Sequence, residues 1–191
     1  MSAIISKLDN DVTISVADDF NNEELVHFLC VCGYSSVLCC DKFILGSRYE
    51  EGMVMSCSSK REITMLNTQL DEYPKLMDLF NFIDYGAQDF KAWYVDISHR
   101  VRHKSAKAYT LTINDEIISS GILSSIIDGY SILTAVRTKD EFMGMGYGTC
   151  LVCSICNDVK GTVFIMRDMD INESFYNKCG FENIYKWRMY K

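Results

Sequence analysis

The sequence predicts a mixed α/β fold: a mixed, mostly antiparallel sheet with helices on its faces. Three stretches carry that expectation. Residues Lys107 to Val136 alternate like an antiparallel meander. A glycine-rich turn at Gly144–Gly148 then separates a strand from an apolar helix and a further strand. A short helix and a last strand close the chain. At 191 residues the chain has room for one large domain or two small lobes around a substantial core.

In chain order, Asn21–Cys32 reads as a helix with Asp18, Asp19 or Asn21 as its cap and Gly33 as its stop. Ser36–Phe43 and Met53–Cys57 are β-prone and read as strands, and Asp71–Ile83 as a second helix. Phe28–Tyr34 echoes Phe175–Phe181, either as a decayed copy of one helix–turn–strand unit or simply as two glycine-ended helices. Residues 1–104 read as a smaller N-terminal α/β lobe and 105–191 as the half that carries the glycine turn.

From Lys107, Tyr109, Leu111 and Ile113 alternate with threonines, the period of a half-buried strand. Asn114-Asp115-Glu116 turns the chain into Ile117–Ser125. Asp128-Gly129 turns it again into Tyr130–Val136. Cys150, Leu151, Cys153, Ile155 and Cys156 then form a broad apolar stripe at helical spacing, stopped by Asn157-Asp158 and Gly161. Thr162–Met166 is a buried strand, Asn172–Lys178 a helix and Asn183–Tyr190 the last strand.

The order strand, glycine turn, helix, strand is one crossover unit with an anion cradle at its mouth. Bare backbone lets successive N–H groups close on an anion, and the helix N-terminus adds partial positive charge. Position 149, where a G-x-G-x-x-G dinucleotide fingerprint needs its third glycine, is Thr149, and no lysine follows Gly148 as a P-loop requires. A kinase-type loop fails on the same spacing. What remains is G-x-G-x-G.

Composition bounds the rest. Hydrophobic residues make up 48% and charged residues 24%, as in ordinary globular proteins, and the net charge of −7 argues against nucleic acid as a partner. The N-terminal residues lack the long apolar core of a signal peptide. The apolar stretch from Ile117 to Val136 holds six serines or threonines and a hairpin turn, which fits two strands rather than a membrane span. A cytoplasmic protein without membrane attachment is expected. The nine cysteines are odd in number and lack zinc-finger spacing, so they read as small buried hydrophobes in a reducing compartment, with no metal.

Val136-Arg137-Thr138, five further residues, and then Gly144-Met145-Gly146-Tyr147-Gly148-Thr149 resemble the acyl-CoA motif of the GNAT superfamily of N-acyltransferases, R-G-x-G-x-[GA]-[ST] preceded by V-x-T. Phe175-Tyr176-Asn177-Lys178-Cys179-Gly180-Phe181 resembles the family's second block, [FL]-Y-x-K-x-G-F. The likeness covers about residues 107–191. It departs where Met143 replaces arginine, where Asp140 stands in place of proline, and at Met169, where the family often has asparagine.

The resemblance implies a GNAT-like splayed sheet and transfer of an acetyl group from acetyl-CoA to a primary amine by direct attack. Met143, Gly144, Met145, Gly146, Tyr147, Gly148 and Thr149 would hold the pyrophosphate. Ala135, Val136 and Thr138 would line the pantetheine arm, where a backbone N–H near Val136 would steady the oxyanion. Tyr176 would protonate the departing thiolate. The N-terminal lobe would shape the acceptor side, and a homodimer is left open. Asp96, His99 and His103 are candidate bases only because polar groups cluster there. The basic run His99–Lys104 reads as a solvated loop, or else as a contact for phosphates. Two other readings compete: a non-catalytic acyl-CoA-binding or regulatory module, and an interaction protein whose glycine turn is merely structural.

Overall fold

A computed structural model of the chain describes residues 2–84, 86 and 89–191. The strands are β1 (Ala3–Leu8), β2 (Asp11–Val16), β3 (Ser36–Cys40), β4 (Glu50–Cys57), β5 (Gln69–Asp71), β6 (Lys107–Ile113), β7 (Glu116–Ile127), β8 (Tyr130–Thr138), β9 (Thr162–Asp168) and β10 (Glu182–Tyr190). The helices are α1 (Asn22–Cys32), α2 (Leu76–Ile83), α3 (Phe90–Arg102), α4 (Tyr147–Asp158) and α5 (Glu173–Lys178), and a 3₁₀ turn covers Asp140–Phe142. The residues group into two units. The first holds Met1–Met55, Met166–Ile171 and Asn183–Lys191, and the second Ser56–Ile165 and Asn172–Glu182. The predicted mixed, mostly antiparallel sheet is borne out: of the pairings described below, only β2–β3 and β8–β9 are parallel.

In the first unit the strand order is β1-β2-β3-β10-β4. β1 and β2 form an antiparallel hairpin, with Asp9 at φ 52° in its turn. Alternating Val12 and Ile14 point into a core with Leu25 and Leu29 of α1, Val37 and Cys39 of β3, Phe43 and Tyr190. The helix α1 crosses from β2 to β3, which run parallel, so this unit has its own crossover. The Asn21 side chain accepts from the Glu24 amide at 3.2 Å, satisfying one of the orphan donors of the first turn. Replacing it, Asn21→Ala, is expected to cost about 1 kcal/mol, read as a lower urea midpoint at unchanged m-value.

The second unit orders its strands β9-β8-β7-β6-β5. The two hairpin turns of the meander fall where the sequence puts them. Asn114 and Asp115 have φ 50° and 64°, and Asp128 and Gly129 have φ 49° and 82°, the left-handed pairs that suit two-residue loops. Leu151, Val152 and Ile155 of α4 are fully buried, as the apolar stripe requires. The Tyr109 hydroxyl donates to Asp158 at 2.6 Å, and Lys107 bridges Asp158 at 2.7 Å and Glu72 at 2.6 Å, fastening the end of α4 to β6. These partners, Lys107 foremost, hold the Asp158 carboxyl below its usual range.

Several expectations change. The helix expected at Asp71–Ile83 starts at Leu76: Asp71 belongs to β5, its carboxylate accepts from the Tyr73 amide at 2.8 Å, and Pro74 holds the preceding residue out of helical geometry. The basic run His99–Lys104 is not a loop. His99–Arg102 form the last turn of α3, with cations at the negative end of the helix dipole and Arg100 paired to Asp96 at 2.9 Å. Phe28–Tyr34 and Phe175–Phe181 are both glycine-ended helices leading into strands, with Gly33 and Gly180 at φ 66° and 93°. Of the cysteines, Cys30 and Cys32 are exposed and Cys40 half-buried, so the buried reading holds for the other six. Among the described residues, no group of three or more His, Cys, Asp or Glu is placed to hold a metal ion, and no helix is long and apolar enough to cross a membrane.

Candidate functional site

The site begins where β8 parts from β9. Their parallel ladder covers only Tyr130–Thr162, Ser131–Val163 and Ile132–Phe164, whereas β8 stays paired to β7 as far as Thr138. The cause lies in β8 itself. Ala135 and Val136 together face Gly121, a bulge that puts Ala135 at φ 53° and bends the strand. The Ser120 hydroxyl donates to the Ala135 carbonyl at 3.2 Å and holds the kink. Gly121 leaves the partner strand little room for a side chain: a Cβ there would stand 2.8 Å from Ile155 Cδ1 of α4, which would have to shift.

Beyond the bulge the chain makes its 3₁₀ turn and passes through Gly144 and Gly146, at φ 75° and 92°, before α4 begins. The Gly146 carbonyl accepts the Cys150 amide at 2.9 Å, the first bond of the helix. Among the described residues, the N–H groups of 144–149 donate to no backbone or side-chain acceptor, the orphan set expected at a helix start without a side-chain cap. A Cβ added at Gly144 would meet nothing within 4 Å, so the turn is open on that side. One added at Gly148 would stand 2.8 Å from Thr138 Oγ1 and 3.3 Å from the Phe175 ring, so the helix seats on β8 only without a side chain there.

Gly144, Gly146, Gly148 and Thr149 of this set border a cavity of about 480 Å³. Of the residues singled out in the sequence, Val136 and Thr138 of β8, Met143, Gly144, Gly146, Gly148 and Thr149 of the turn, and Tyr176 of α5 all line it. Three do not. Ala135 turns to the core beneath α2 and α3, because the bulge reverses its side chain. Met145 projects outward, and the Tyr147 ring packs edge-on against Phe142 at 5.7 Å. Phe142, Asn172, Ser174, Phe175 and Lys178 also line the cavity. The aromatic block around Tyr176 signals Phe175 and Lys178, but nothing local signals Asn172 or Ser174.

Tyr176 is wedged edge-to-face between Phe175, at 4.9 Å, and Phe181, at 5.6 Å. Its hydroxyl hydrogen-bonds to no described residue. Burial, with a smaller contribution from Cys179, pushes its pKa up to about 12, so at neutral pH it is a proton donor and not a base. Lys178 is the only cation among the described lining residues, and no carboxylate or imidazole joins it. Lys139, close in sequence, is held by Glu116 and by Glu141, the latter at 2.7 Å. Asp96, His99 and His103 lie on α3 and line no part of this cavity. Asp96 pairs with Arg100, and the two imidazoles touch at 4.4 Å between ring centres, tilted by 47°. Free peptide N–H groups at a helix start, the Lys178 ammonium and the hydroxyls of Thr149 and Ser174 make a receptor for an anion, with Tyr176 as a proton donor in the same cavity.

No protein-family model matches the chain, and no curated protein matches it in sequence. Solved structures do match it in fold. A GCN5-related N-acetyltransferase from Sphaerobacter thermophilus superposes with TM-score 0.67 at 10% identity, over 98% of this chain and 74% of its own. One from Kribbella flavida gives TM-score 0.64 at 10% identity, over 93% and 80%. A GNAT-family acetyltransferase from Colwellia psychrerythraea gives 0.63 at 9% identity, over 95% and 77%. The fold is that of the GCN5-related N-acetyltransferases, the GNAT superfamily.

Proposed function

We propose that this chain is an acyl-CoA-dependent N-acyltransferase that moves an acetyl group from acetyl-CoA to a primary amine. One observation carries the reading: Gly144, Gly146, Gly148 and Thr149, whose amides are unused, and Tyr176 border a single cavity, beside the stretch of β8 that has left β9. The donor set suits a diphosphate. The amides, the helix dipole and Lys178 would receive its charge, while the unpaired edge of β8 beyond Ile132 offers backbone groups to the pantetheine amides. Val136 and Thr138 on that edge would hold the thioester in line for attack, which saves most of the entropy of a bimolecular encounter.

The thioester supplies the activated acyl group, and the chain's residues position it and manage one proton. The neutral amine's lone pair forms the new C–N bond at the thioester carbonyl, and the C–S bond breaks. Tyr176 gives its phenolic proton to the leaving sulfur and regains one from solvent or from the attacking nitrogen. With no carboxylate or imidazole among the described lining residues, the amine would enter already neutral.

The lack of a lining base and the presence of Met143 in place of arginine favour a second reading, an acyl-CoA-binding module without turnover. A thermal-shift titration with acetyl-CoA, run beside a thiol-release assay over a panel of primary amines, separates the alternatives. Transferase predicts a melting temperature that rises with donor concentration together with amine-dependent thiol release. A rise without release favours the binding module. No rise at millimolar donor removes the acyl-CoA assignment altogether.

A further inference from the structure

The sheet of the first unit ends in an open strand. β1 pairs only with β2, so its other side faces no described strand. The hairpin's parity fixes which backbone groups that leaves. Leu8 and Asp11 flank the two-residue loop, and at the far end the Ser2 carbonyl accepts the Ala17 amide at 2.9 Å. Ser2, Ile4, Ser6 and Leu8 therefore turn their backbone groups to β2. The N–H and C=O groups of Ala3, Ile5 and Lys7 point outward from the edge.

Exposed edges are usually blunted by charge, by proline or by a covering segment. This one is not. Lys7 is the one charged residue from Ser2 to Leu8, and its ammonium is engaged elsewhere. It donates to the Cys32 and Gly33 carbonyls at 2.8 and 2.9 Å, closing the end of α1 instead of guarding the strand. Apolar side chains flank the edge on both faces. Ile5 stands opposite Ile14 on the α1 face, while Ile4 and Leu8, on the other, are 61% and 77% exposed. On α1, Val26, His27 and Cys30 face residues 44–46. Helical spacing then puts Phe28 and Val31, both exposed, on the opposite flank, toward β1.

We propose that β1 is the contact strand of a homodimer, in which two copies pair β1 with β1 antiparallel about a two-fold axis through Ile5. Three observations select a second copy. Identical edges in this register put Ile5 opposite Ile5 and Ala3 opposite Lys7, so every outward donor meets an outward acceptor in about six backbone bonds. No acidic residue lies between Ser2 and Leu8, so the net charge of −7 is not concentrated at the contact. The exposed surface of β1, Phe28 and Val31 offers roughly 600 Å² per copy, or about 1,200 Å² in the pair, the lower end of the range for a specific dimer. The contact uses only the first unit and is independent of the acyl-transfer reading.

Sedimentation velocity on the full chain, without any thioester, should show monomer passing to dimer between about 1 and about 100 μM, as suits a contact of this size. Amide exchange by NMR locates the contact. At the highest concentration the amides of Ala3, Ile5 and Lys7 should slow about tenfold, while those of Ile4, Ser6 and Leu8 stay slow throughout because β2 already holds them. Ile5→Lys sets like charges face to face across the axis and should weaken association more than about tenfold. Ile5→Pro keeps an apolar side chain and the β1–β2 ladder but removes the central outward donor, and should act alike. Should the proline disturb the hairpin, seen as faster exchange at Ile4 and Ser6, Ile5→Lys alone decides, since this edge position is 37% exposed. A chain still monomeric at the highest concentration, a dimer untouched by Ile5→Lys, or a dimer without slowed exchange at Ala3, Ile5 and Lys7 overturns the proposal.

Discussion

Tyr176→Phe is expected to lower kcat for acetyl transfer about 100-fold while leaving KM for acetyl-CoA within about threefold, in line with the usual worth of a positioned proton donor. The substitution removes one oxygen and leaves the ring. The edge-to-face contacts with Phe175 and Phe181 persist, and no hydrogen bond to a described residue is lost. Stability should therefore hardly change, which separates a chemical role from a packing one. The pH dependence gives a second readout. Because the phenol's pKa is raised to about 12, the donor keeps its proton well above the pH at which a free tyrosine would ionise. The rate at limiting amine should rise with pH as the amine itself is neutralised, and no falling limb should appear below about pH 10. A loss of less than threefold on Tyr176→Phe, measured with saturating donor, would transfer the proton to solvent and leave this residue a core aromatic.

The second large effect falls at Gly148. An alanine there gains helix propensity, worth about 1 kcal/mol in an exposed helix. It also drives its methyl against Thr138 Oγ1, 2.8 Å away, and against Phe175. Thr138 cannot swing clear cheaply. Its hydroxyl is hydrogen-bonded to Ser119 at 3.0 Å, and Ser119, fully buried, donates at 2.9 Å to the Arg137 carbonyl. Overpacking of this kind costs about 1–3 kcal/mol, so the clash outweighs the propensity gain. The first turn of α4 would have to lift off β8, moving the amides that face the cavity. Gly148→Ala should lower the melting temperature by several degrees and weaken acetyl-CoA binding at least tenfold, since small misplacements at such sites are costly. Thr138→Ala on the same chain should restore part of the stability, giving a favourable coupling in the double-mutant cycle. Additive destabilisation would rule out that contact as the cause.

The Gly144–Thr149 turn and the Tyr176 block were legible because each is a local device. A left-handed backbone needs glycine, and an alternating strand or a glycine-ended helix writes its period over a few residues. Three features were not legible. The β1–β2 hairpin rests on a short polar turn at Asp9-Asn10, and α3 was hidden by its polar C-terminal turn, which reads as loop when its partners are unseen. The inward turn of Ala135 depends on the bulge opposite Gly121, a property of two strands in register, and the outward side chain of Met145 leaves no periodic signal in the glycine turn.

By itself the sequence determined the order of elements from Lys107 onward, the position of the glycine turn and the aromatic pair beside Lys178, because backbone preference and hydrophobic period act between near neighbours. Only the tertiary structure decided that β8 parts from β9 after Ile132 and that Gly148 seats on Thr138 and Phe175. Each of those depends on side chains far apart in the chain excluding or meeting one another. Such contacts follow from packing in three dimensions and leave no periodic trace along the sequence.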